Sequence, residues 1–264
     1  EAFRTRSLAH TAFPYVFCDA TFCKVRIGAH VVSQALVVAT GVSIDGTREV
    51  LGTAVGDSES FEFWREFLAS LKARGLSGVH LVISDAHAGL KAAVAQQFTG
   101  SSWQRCRVHF MRNLHTAVAA KHAPAVTAAV KTIFAHTDPA EVADQWDRVA
   151  DTLAPSFPKV AAMMSEAKTD VLAFTAFPRA HWQKIWSNNP IERLNKEIKR
   201  RADVVEIFPN PAAFLRLATA VVIEAHDEWQ VTRRYLSDVS MDELRAVIDK
   251  KNAAAALAKQ HQIA

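Results

Sequence analysis

The sequence predicts an α/β protein whose strands precede position 107 and whose remainder is helical. Glycine and proline are divided unevenly, because all nine glycines lie at or before Gly100 and eight of the nine prolines follow it. Short stretches rich in β-branched and aromatic residues, which favour strands, fall in the first part. In the second part apolar residues recur at helical spacing, and prolines stand near helix starts, where a missing N–H costs nothing. The 264 residues are enough to bury a sizeable core.

Residues 13–56 predict a three-stranded antiparallel meander. Strands are expected at 15–22, 31–40 and 49–55, after a linker over residues 1–12. Gly28 is placed to turn the first strand into the second. Asp45 and Gly46 separate the second strand from the third. They are the preferred pair for a two-residue turn, in which both positions need φ > 0.

Alternating helices and strands are predicted next, which completes the order β-β-β-α-β-α-β. The helix over 60–73 places its large apolar residues on one face. A short apolar strand follows over 79–84, then a helix over 88–97 and a fifth strand over 102–106. Beyond it, helices are predicted over 109–121, 123–135, 140–153, 157–167, 191–201, 212–226 and 242–259.

Composition excludes several classes of protein. Hydrophobic residues make up 50% of the chain and charged residues 22%, which is ordinary for a globular protein and not for a disordered or fibrous one. No apolar stretch is long enough to span a membrane, and no signal peptide is visible. Three cysteines, an odd number, fit a reducing compartment without a disulfide framework. The first residue is Glu1 and not methionine, so we expect the chain to be part of a longer protein.

The excess positive charge is confined to one short run. Arg193 to Arg201 read RLNKEIKRR, with five basic residues and one acidic residue, whereas the other 255 residues carry 26 of each. The run therefore accounts for the whole formal charge of +4. The pI of about 9.0 is compatible with nucleic acid as a partner but does not demand it. A run of this kind can also be a solvated helix face.

Three carboxylates stand at positions that call for an explanation. Asp19 lies in the middle of the first predicted strand, where Asp is disfavoured and must be solvated, paired or metal-bound. Asp85 directly follows an apolar strand, where side chains commonly face a crevice, although it could instead cap the next helix. Glu192 lies three residues after a predicted N-cap at Asn189 and could be a capping-box residue. As a set, these oxygen ligands suit Mg²⁺ or Mn²⁺ rather than zinc.

Two further carboxylates compete for a place in this set. Glu197 is five residues from Glu192, or about 140° around an ideal helix, so both cannot face one metal pair. It is expected to pair with Arg193 or Arg201 at i±4. Asp57 precedes a helix and is better explained as a capping residue.

Five motifs give the sequence a resemblance to a known family. They are DATFCKVR at 19–26, GVSIDGTREVLG at 41–52, SDAHAGL at 84–90, WQRCRVHFMRNL at 103–114 and SNNPIERLNKEIKRR at 187–201. In this order and spacing they resemble the Mutator-type transposases of bacterial insertion sequences, over about residues 13–236. Each motif is weak alone, whereas five in order are a strong signal.

The resemblance implies a DDE catalytic core with a ribonuclease-H-like fold. The expected architecture is a mixed five-stranded sheet with a large all-helical insertion before the last catalytic helix. The expected regions are a linker over 1–12, the first part of the core over 13–109, the insertion over 110–186, the second part of the core over 187–236 and a helical tail over 237–264. The family's acidic trio falls on Asp19, Asp85 and Glu192, both as catalytic residues and as metal ligands.

The activity implied by the resemblance is metal-dependent DNA cleavage at transposon ends, followed by strand transfer. The trio would hold two Mg²⁺ or Mn²⁺ ions roughly 3.5–4 Å apart. One ion would activate water or a DNA 3′-hydroxyl, and the other would stabilise the leaving 3′-oxygen. The expected partners are DNA and at least a second copy of the chain on that DNA, with no membrane. The expected location is the bacterial cytoplasm, in association with the nucleoid.

Other residues of these motifs have predicted or open roles. His87 could orient a scissile phosphate or satisfy the backbone. Cys106 and His109, a family signature, could be structural or half of a zinc site, with His109 bonding near the active site. Trp182 and Trp186 are interpreted as helix packing rather than DNA-end stacking. The basic residues predicted to bind DNA phosphates, with salt-sensitive affinity, are Lys24, Arg26, Arg193, Lys196, Lys199, Arg200 and Arg201.

Two rival functions remain open beside the catalytic one. The chain could be a transposase-derived DNA-binding or assembly module that has lost catalysis, although the intact acidic trio argues against this. It could also be a nuclease of ribonuclease-H type that lacks strand transfer.

Overall fold

A six-stranded mixed β-sheet forms the centre of the computed structural model, which describes residues 1–263. The strands are β1 Tyr15–Ile27, β2 His30–Val42, β3 Arg48–Gly56, β4 Leu81–Ser84, β5 Ser102–Arg105 and β6 Ile207–Phe208. Five of them run in the order β3-β2-β1-β4-β5, and β6 pairs with β1. The β1–β2 and β2–β3 pairs are antiparallel, whereas the pairs that involve β4, β5 and β6 are parallel.

Helices surround the sheet and make up most of the chain after β5. They are α1 Ala2–Thr5, α2 Phe61–Ala73, α3 Ala88–Gln97, α4 Arg107–Thr116, α5 Ala123–Ile133, α6 Pro139–Leu153, α7 Pro158–Val171, α8 Trp182–Ile185, α9 Asn189–Val205, α10 Pro211–Val231 and α11 Asp238–Ile263. Short 3₁₀ turns lie at Ala120–His122, Ala173–Ala176 and Arg179–His181. Among residues 1–263, no helix combines the length and apolar character needed to cross a membrane.

The predicted order β-β-β-α-β-α-β is confirmed, as is the helical remainder of the chain. The prediction of five strands is wrong by one, because β6 adds a sixth. It is only two residues long, too short to show a strand period. It exists because Ile207 and Phe208 meet Lys24 and Val25 of β1, a long-range pairing that local sequence does not reveal.

The β2–β3 turn differs from the predicted two-residue type. Ser43 and Thr47 close a loop of residues 44–46, through bonds from the Ser43 N–H to the Thr47 carbonyl and from the Gly46 N–H to the Ser43 carbonyl. Only Gly46 has positive φ, at 78°, whereas Asp45 does not. This is a three-residue hairpin loop with glycine in the left-handed position. By contrast, Gly28 turns β1 into β2 as predicted, with φ of 59°.

The two faces of the sheet bury separate cores. On one face, α2 and α3 cover apolar residues such as Val16 and Cys18 of β1. On the other, residues such as Tyr15, Phe17 and Val25 pack against α4–α11. Since side chains alternate along a strand, each position of β1 is assigned to one core or the other. Asp19 falls on the same face as Phe17 and therefore faces α9.

Candidate active site

Asp19 and Asp85 reach the same edge of the sheet because β1 and β4 are parallel neighbours. The register pairs Phe17 with Ile83. Asp19 and Asp85 stand two residues further along their respective strands, so they lie at the same level. Asp85 is the first residue after β4, at the carboxyl end where open sheets commonly place their ligands.

Asp19 is held by α9 and lies in an electrostatically unfavourable place for a carboxylate. Asn195 of α9 donates its side-chain Nδ2 to Asp19 Oδ2 at 2.8 Å. Burial raises the pKa of Asp19 to about 7, and the nearby carboxylates of Glu192 and Asp85 add to the rise, whereas hydrogen bonds from Asn195 and the Ala20 backbone oppose it. The raised pKa therefore reflects both desolvation and the convergence of three carboxylates.

Glu192 joins this cluster from the first turns of α9, with His109 of α4 between it and Asp85. His109 Nδ1 lies 3.7 Å from Glu192 Oε1 and 3.9 Å from Asp85 Oδ1. Both His109 Nδ1 and Glu192 Oε1 are buried and have no hydrogen-bond partner within the described part of the chain. A buried polar atom without a hydrogen-bond partner is costly, so both atoms remain available to a ligand or to water.

The residues present fit the divalent ions that the sequence led us to expect. Three carboxylates offer hard oxygen ligands of the kind that Mg²⁺ and Mn²⁺ prefer. Glu192 Oε1 has no hydrogen-bond partner in the described part of the chain, and burial together with the two neighbouring carboxylates disfavours the ionised form of Asp19 and raises its pKa. A cation among Asp19, Asp85 and Glu192 would stabilise the ionised form of all three.

Asn188 and Cys106 fix where α9 begins. The Asn188 N–H donates to Cys106 Sγ at 3.3 Å, and its side-chain Nδ2 donates to the Cys18 carbonyl at 2.9 Å. Because Cys18 precedes Asp19 in β1, the start of α9 is fastened to the strand that carries the first carboxylate. The ligand atoms of Cys106, His109 and Glu192 lie within 4.8 Å of one another, as in a metal site. Burial raises the pKa of the Cys106 thiol, however, which favours a structural role for it.

The alternative of Asp85 as a helix cap is wrong. Asp85 Oδ1 accepts from the next backbone N–H, that of Ala86, at 2.7 Å. The N-cap of α3 is His87, whose Nδ1 accepts from the Leu90 N–H at 3.3 Å. His87 therefore satisfies the backbone, which was one of its two predicted roles, while its Nε2 lies 3.8 Å from Glu59 Oε2.

The capping-box alternative for Glu192 is also wrong. The N-cap of α9 is Asn188 and not Asn189, so Glu192 is the fourth residue of the helix rather than the third after its cap.

The remaining two carboxylates lie outside the cluster. Glu197 accepts bonds from Arg200 and Arg201 on the exposed side of α9. Asp57 accepts from Gln34, and the cap of α2 is Ser60.

The predicted DNA-binding cations fall into three groups. Lys24 and Arg26 are exposed on β1, on the opposite sheet face from Asp19, so the structure does not bring them beside the carboxylates. Arg193, Lys196 and Lys199 are exposed on α9 and form no ion pair within residues 1–263. Arg200 and Arg201 are already paired with carboxylates.

Trp182 and Trp186 pack as interpreted. Trp182 is buried, and its indole N–H donates to the Phe177 carbonyl at 2.8 Å. Trp186 meets the Phe174 ring edge-on, and the Arg107 guanidinium lies 3.9 Å above its ring. The contact between Trp186 and Arg107 joins the end of α8 to the start of α4, the helix that carries His109.

Some residues of the site were missed in the sequence. Asn188 and Asn195 lie four residues before and three after Glu192, a spacing that places both on its side of α9 and could have revealed them. Glu59 carried no such signal, because it approaches His87 and Asp85 from a loop.

Comparison with known proteins gives this geometry a context. A family model described as "Transposase, Mutator family" matches residues 1–232. The transposase for insertion sequence element IS1081 of Mycobacterium tuberculosis is 46% identical over 248 residues, which cover 94% of this chain and 60% of that protein. The transposase for ISRM5 of Rhizobium meliloti is 38% identical over 245 residues, which cover 93% of this chain and 61% of that protein.

A third relative extends the same pattern. The transposase for IS256 in transposon Tn4001 of Staphylococcus aureus is 38% identical over 237 residues, covering 89% of this chain and 60% of that protein. The chain thus spans about 60% of the length of these curated relatives. The family match covers most of the chain, and the relatives agree with it. The chain therefore belongs to the Mutator family of transposases.

Proposed function

We propose that the chain is the catalytic core of a DDE-type DNA transposase that cleaves DNA at transposon ends and joins the freed 3′-hydroxyl to target DNA. The observation that carries the proposal is that Asp85, at the end of β4, and Glu192 of α9 both lie beside His109, while Asp19 of β1 is close enough to interact electrostatically with both carboxylates. Longer relatives named as transposases of insertion sequences support it.

A ribonuclease-H-like fold is part of this proposal. Its support is the order of elements, three antiparallel strands followed by a helix, a strand, a helix and a strand. The helices between β5 and α9 then correspond to an insertion, after which the chain returns to the sheet with Glu192.

For this reaction the protein has to bind the metal ions and to position the DNA. Two Mg²⁺ or Mn²⁺ ions bound by Asp19, Asp85 and Glu192 would supply Lewis-acid activation of the attacking oxygen and stabilisation of the leaving 3′-oxygen. Asn195 fixes the orientation of the Asp19 carboxylate through its 2.8 Å hydrogen bond. Arg193 and Lys196, exposed on the same helix, would bind the neighbouring phosphates.

One site can serve both chemical steps, because each is an in-line displacement at phosphorus. In cleavage a water oxygen attacks and the DNA 3′-oxygen leaves. In joining that 3′-hydroxyl attacks a target phosphate and a new 3′-oxygen leaves. No covalent protein–DNA intermediate is required.

DNA 3′-end cleavage with Mn²⁺ tests the proposal. We expect Glu192→Gln to lower cleavage by at least about 100-fold, since it removes a charge from the cluster while keeping the side-chain shape. Glu197→Gln is the matched control, because Glu197 lies on the same helix and outside the cluster, and it is expected to retain most of the activity. Equal activity of wild type and Glu192→Gln would overturn the site assignment.

The two rival functions are separated by the same assay. A module without catalysis would show no cleavage by wild type. A nuclease without strand transfer would cleave, but would form no joined product when it is supplied with a pre-cleaved end and target DNA.

A further inference from the structure

A groove lined by both basic and acidic side chains runs along α9. It includes a cavity of about 930 Å³ between α9 and α10, and Tyr235, which lines this cavity, also lines a second one of about 490 Å³. The basic residues that line the two cavities are Arg48, Lys184, Arg193, Lys196, Arg200, Arg201, Arg233 and Arg234.

The cations at one end of this groove are already neutralised. Arg201 makes two hydrogen bonds to Glu224 of α10, at 3.0 and 2.6 Å, and a third to Glu197 at 3.0 Å. Arg200 binds Glu197 at 2.7 and 2.9 Å. Arg201 thus joins α9 to α10, whereas Arg200 is paired within α9, and both leave little charge for a ligand.

Arg48, by contrast, is not neutralised by a hydrogen-bonded carboxylate among the residues described. Its guanidinium lies 3.6 Å above the Trp229 ring and 5.1 Å from the Tyr235 ring. Its Nε is buried and has no hydrogen-bond partner within residues 1–263. Burial lowers the pKa of Arg48, and Arg193 acts in the same direction against Tyr235 and Glu228. Two guanidinium groups therefore share this end of the cavity, and neither is bonded to a carboxylate in the described part of the chain.

Tyr235 extends the cationic surface into the second cavity. Lys184 Nζ lies 4.8 Å from the Tyr235 ring, on which Arg48 also stacks. Arg233 lines the same cavity and forms no ion pair within residues 1–263, whereas Arg234 is paired with Asp238. Stacking on aromatic rings explains how Arg48 and Lys184 are held in place, but it does not neutralise their charge.

We propose that Lys196, Arg193, Arg48, Lys184 and Arg233 form a phosphate track that binds successive phosphodiesters of a DNA strand passing the carboxylate cluster. The inference rests on the proposed function, since Arg193 directly follows Glu192 in α9 and so places the track beside the carboxylate cluster. Arg48 belongs to β3, far from the basic run in sequence, so the track is assembled by the fold. Its ligand class is the DNA backbone, which supplies a row of anions where unpaired cations face open space.

DNA binding by the double variant Arg48→Gln/Lys184→Gln tests this track. Anisotropy of a short fluorescein-labelled duplex, in EDTA and over a series of salt concentrations, measures binding without cleavage. We expect affinity to fall about tenfold or more, and the slope of log K against log salt to fall by about 0.9 for each lost phosphate contact. The control is Arg148→Gln/Lys159→Gln, which removes two exposed cations from α6 and α7, outside both cavities.

Further variants distinguish the charge of Arg48 from its packing against aromatic rings. Arg48→Lys keeps the charge, so it should retain most of the affinity that Arg48→Gln loses. An Arg48→Lys variant as weak as Arg48→Gln, or a control double variant as weak as the track variant, would overturn the proposal. Because binding is measured without metal, a failure of the track is distinct from a failure of Mn²⁺-dependent cleavage by wild type.

Discussion

Asp19 is a single residue whose ionised form lowers the stability of the folded protein, because it is buried close to two other carboxylates. A carboxylate whose pKa is raised to about 7 binds its proton more tightly in the folded state than in the unfolded chain. Between about pH 4 and 7 the folded protein therefore binds more protons than the unfolded one. It follows that the free energy of unfolding falls as pH rises through this interval.

Asp19→Asn tests this. Asn keeps an oxygen that can accept from Asn195, but it cannot ionise. In EDTA we expect the variant to be more stable than wild type above pH 7, by at most about 4 kcal/mol, with a flatter stability profile between about pH 4 and 7. Urea unfolding at several pH values measures it. Asp57→Asn, a change to an exposed carboxylate outside the cluster, is the control, and parallel profiles for Asp19→Asn and wild type would contradict the argument.

Among the elements of the fold, helix α9 decides whether the site can form, because its position determines whether Glu192 reaches the carboxylates of β1 and β4. Ile191, Leu194, Ile198 and Ala202 are buried and set its rotation against the sheet. Its start is set by Asn188, which joins Cys106 and the Cys18 carbonyl. Packing alone fixes which face points inward, whereas the two polar contacts also fix the height of Glu192 relative to Asp19.

The variant Asn188→Ala should therefore destabilise the protein more than the loss of an ordinary helix N-cap would. It removes the donor to a buried Cys18 carbonyl, which we expect to destabilise the protein by about 1–3 kcal/mol and to lower cleavage as well. Asn210→Ala is the matched control, because Asn210 caps α10 at an exposed site and accepts from the Ala213 N–H. Its loss should cost about 1 kcal/mol and leave cleavage nearly unchanged. Denaturant melts and the Mn²⁺ assay together separate the two, and a similar loss of cleavage in both variants would argue against this role.

For the whole molecule, the sequence predicts those features that depend on residues close together along the chain. The strand and helix order follows from periodicity, and the level of Asp19 with Asp85 follows once β1 and β4 are parallel neighbours. What it could not predict depends on contacts between distant segments. Strand β6 exists only through β1, and Arg48 joins the groove only because α10 brings Trp229 to it.

The loop that contains Gly46 is another feature that the sequence could not predict, since it connects the meander to the last part of the chain through long-range contacts. The Gly46 carbonyl accepts from the N–H groups of Tyr235 and Leu236, at 2.9 and 3.1 Å. A Cβ on Gly46 would meet the Leu236 carbonyl oxygen at 2.4 Å, too close for the two to coexist without movement. Gly46→Ala should thus displace the segment between α10 and α11, in addition to straining a residue with φ of 78°.

Gly28→Ala supplies the matched comparison, because Gly28 also has positive φ, at 59°, but nothing lies within 4 Å of its Cβ position. We expect Gly28→Ala to cost about 1 kcal/mol from backbone strain alone. Gly46→Ala should cost at least about 1 kcal/mol more, because the clash with Leu236 is added. Urea unfolding measures both variants, and equal losses would show that the meander and the C-terminal helices are not coupled through this loop. A larger loss for Gly46→Ala would tie the stability of the β2–β3 turn to the Tyr235 segment that lines the phosphate track.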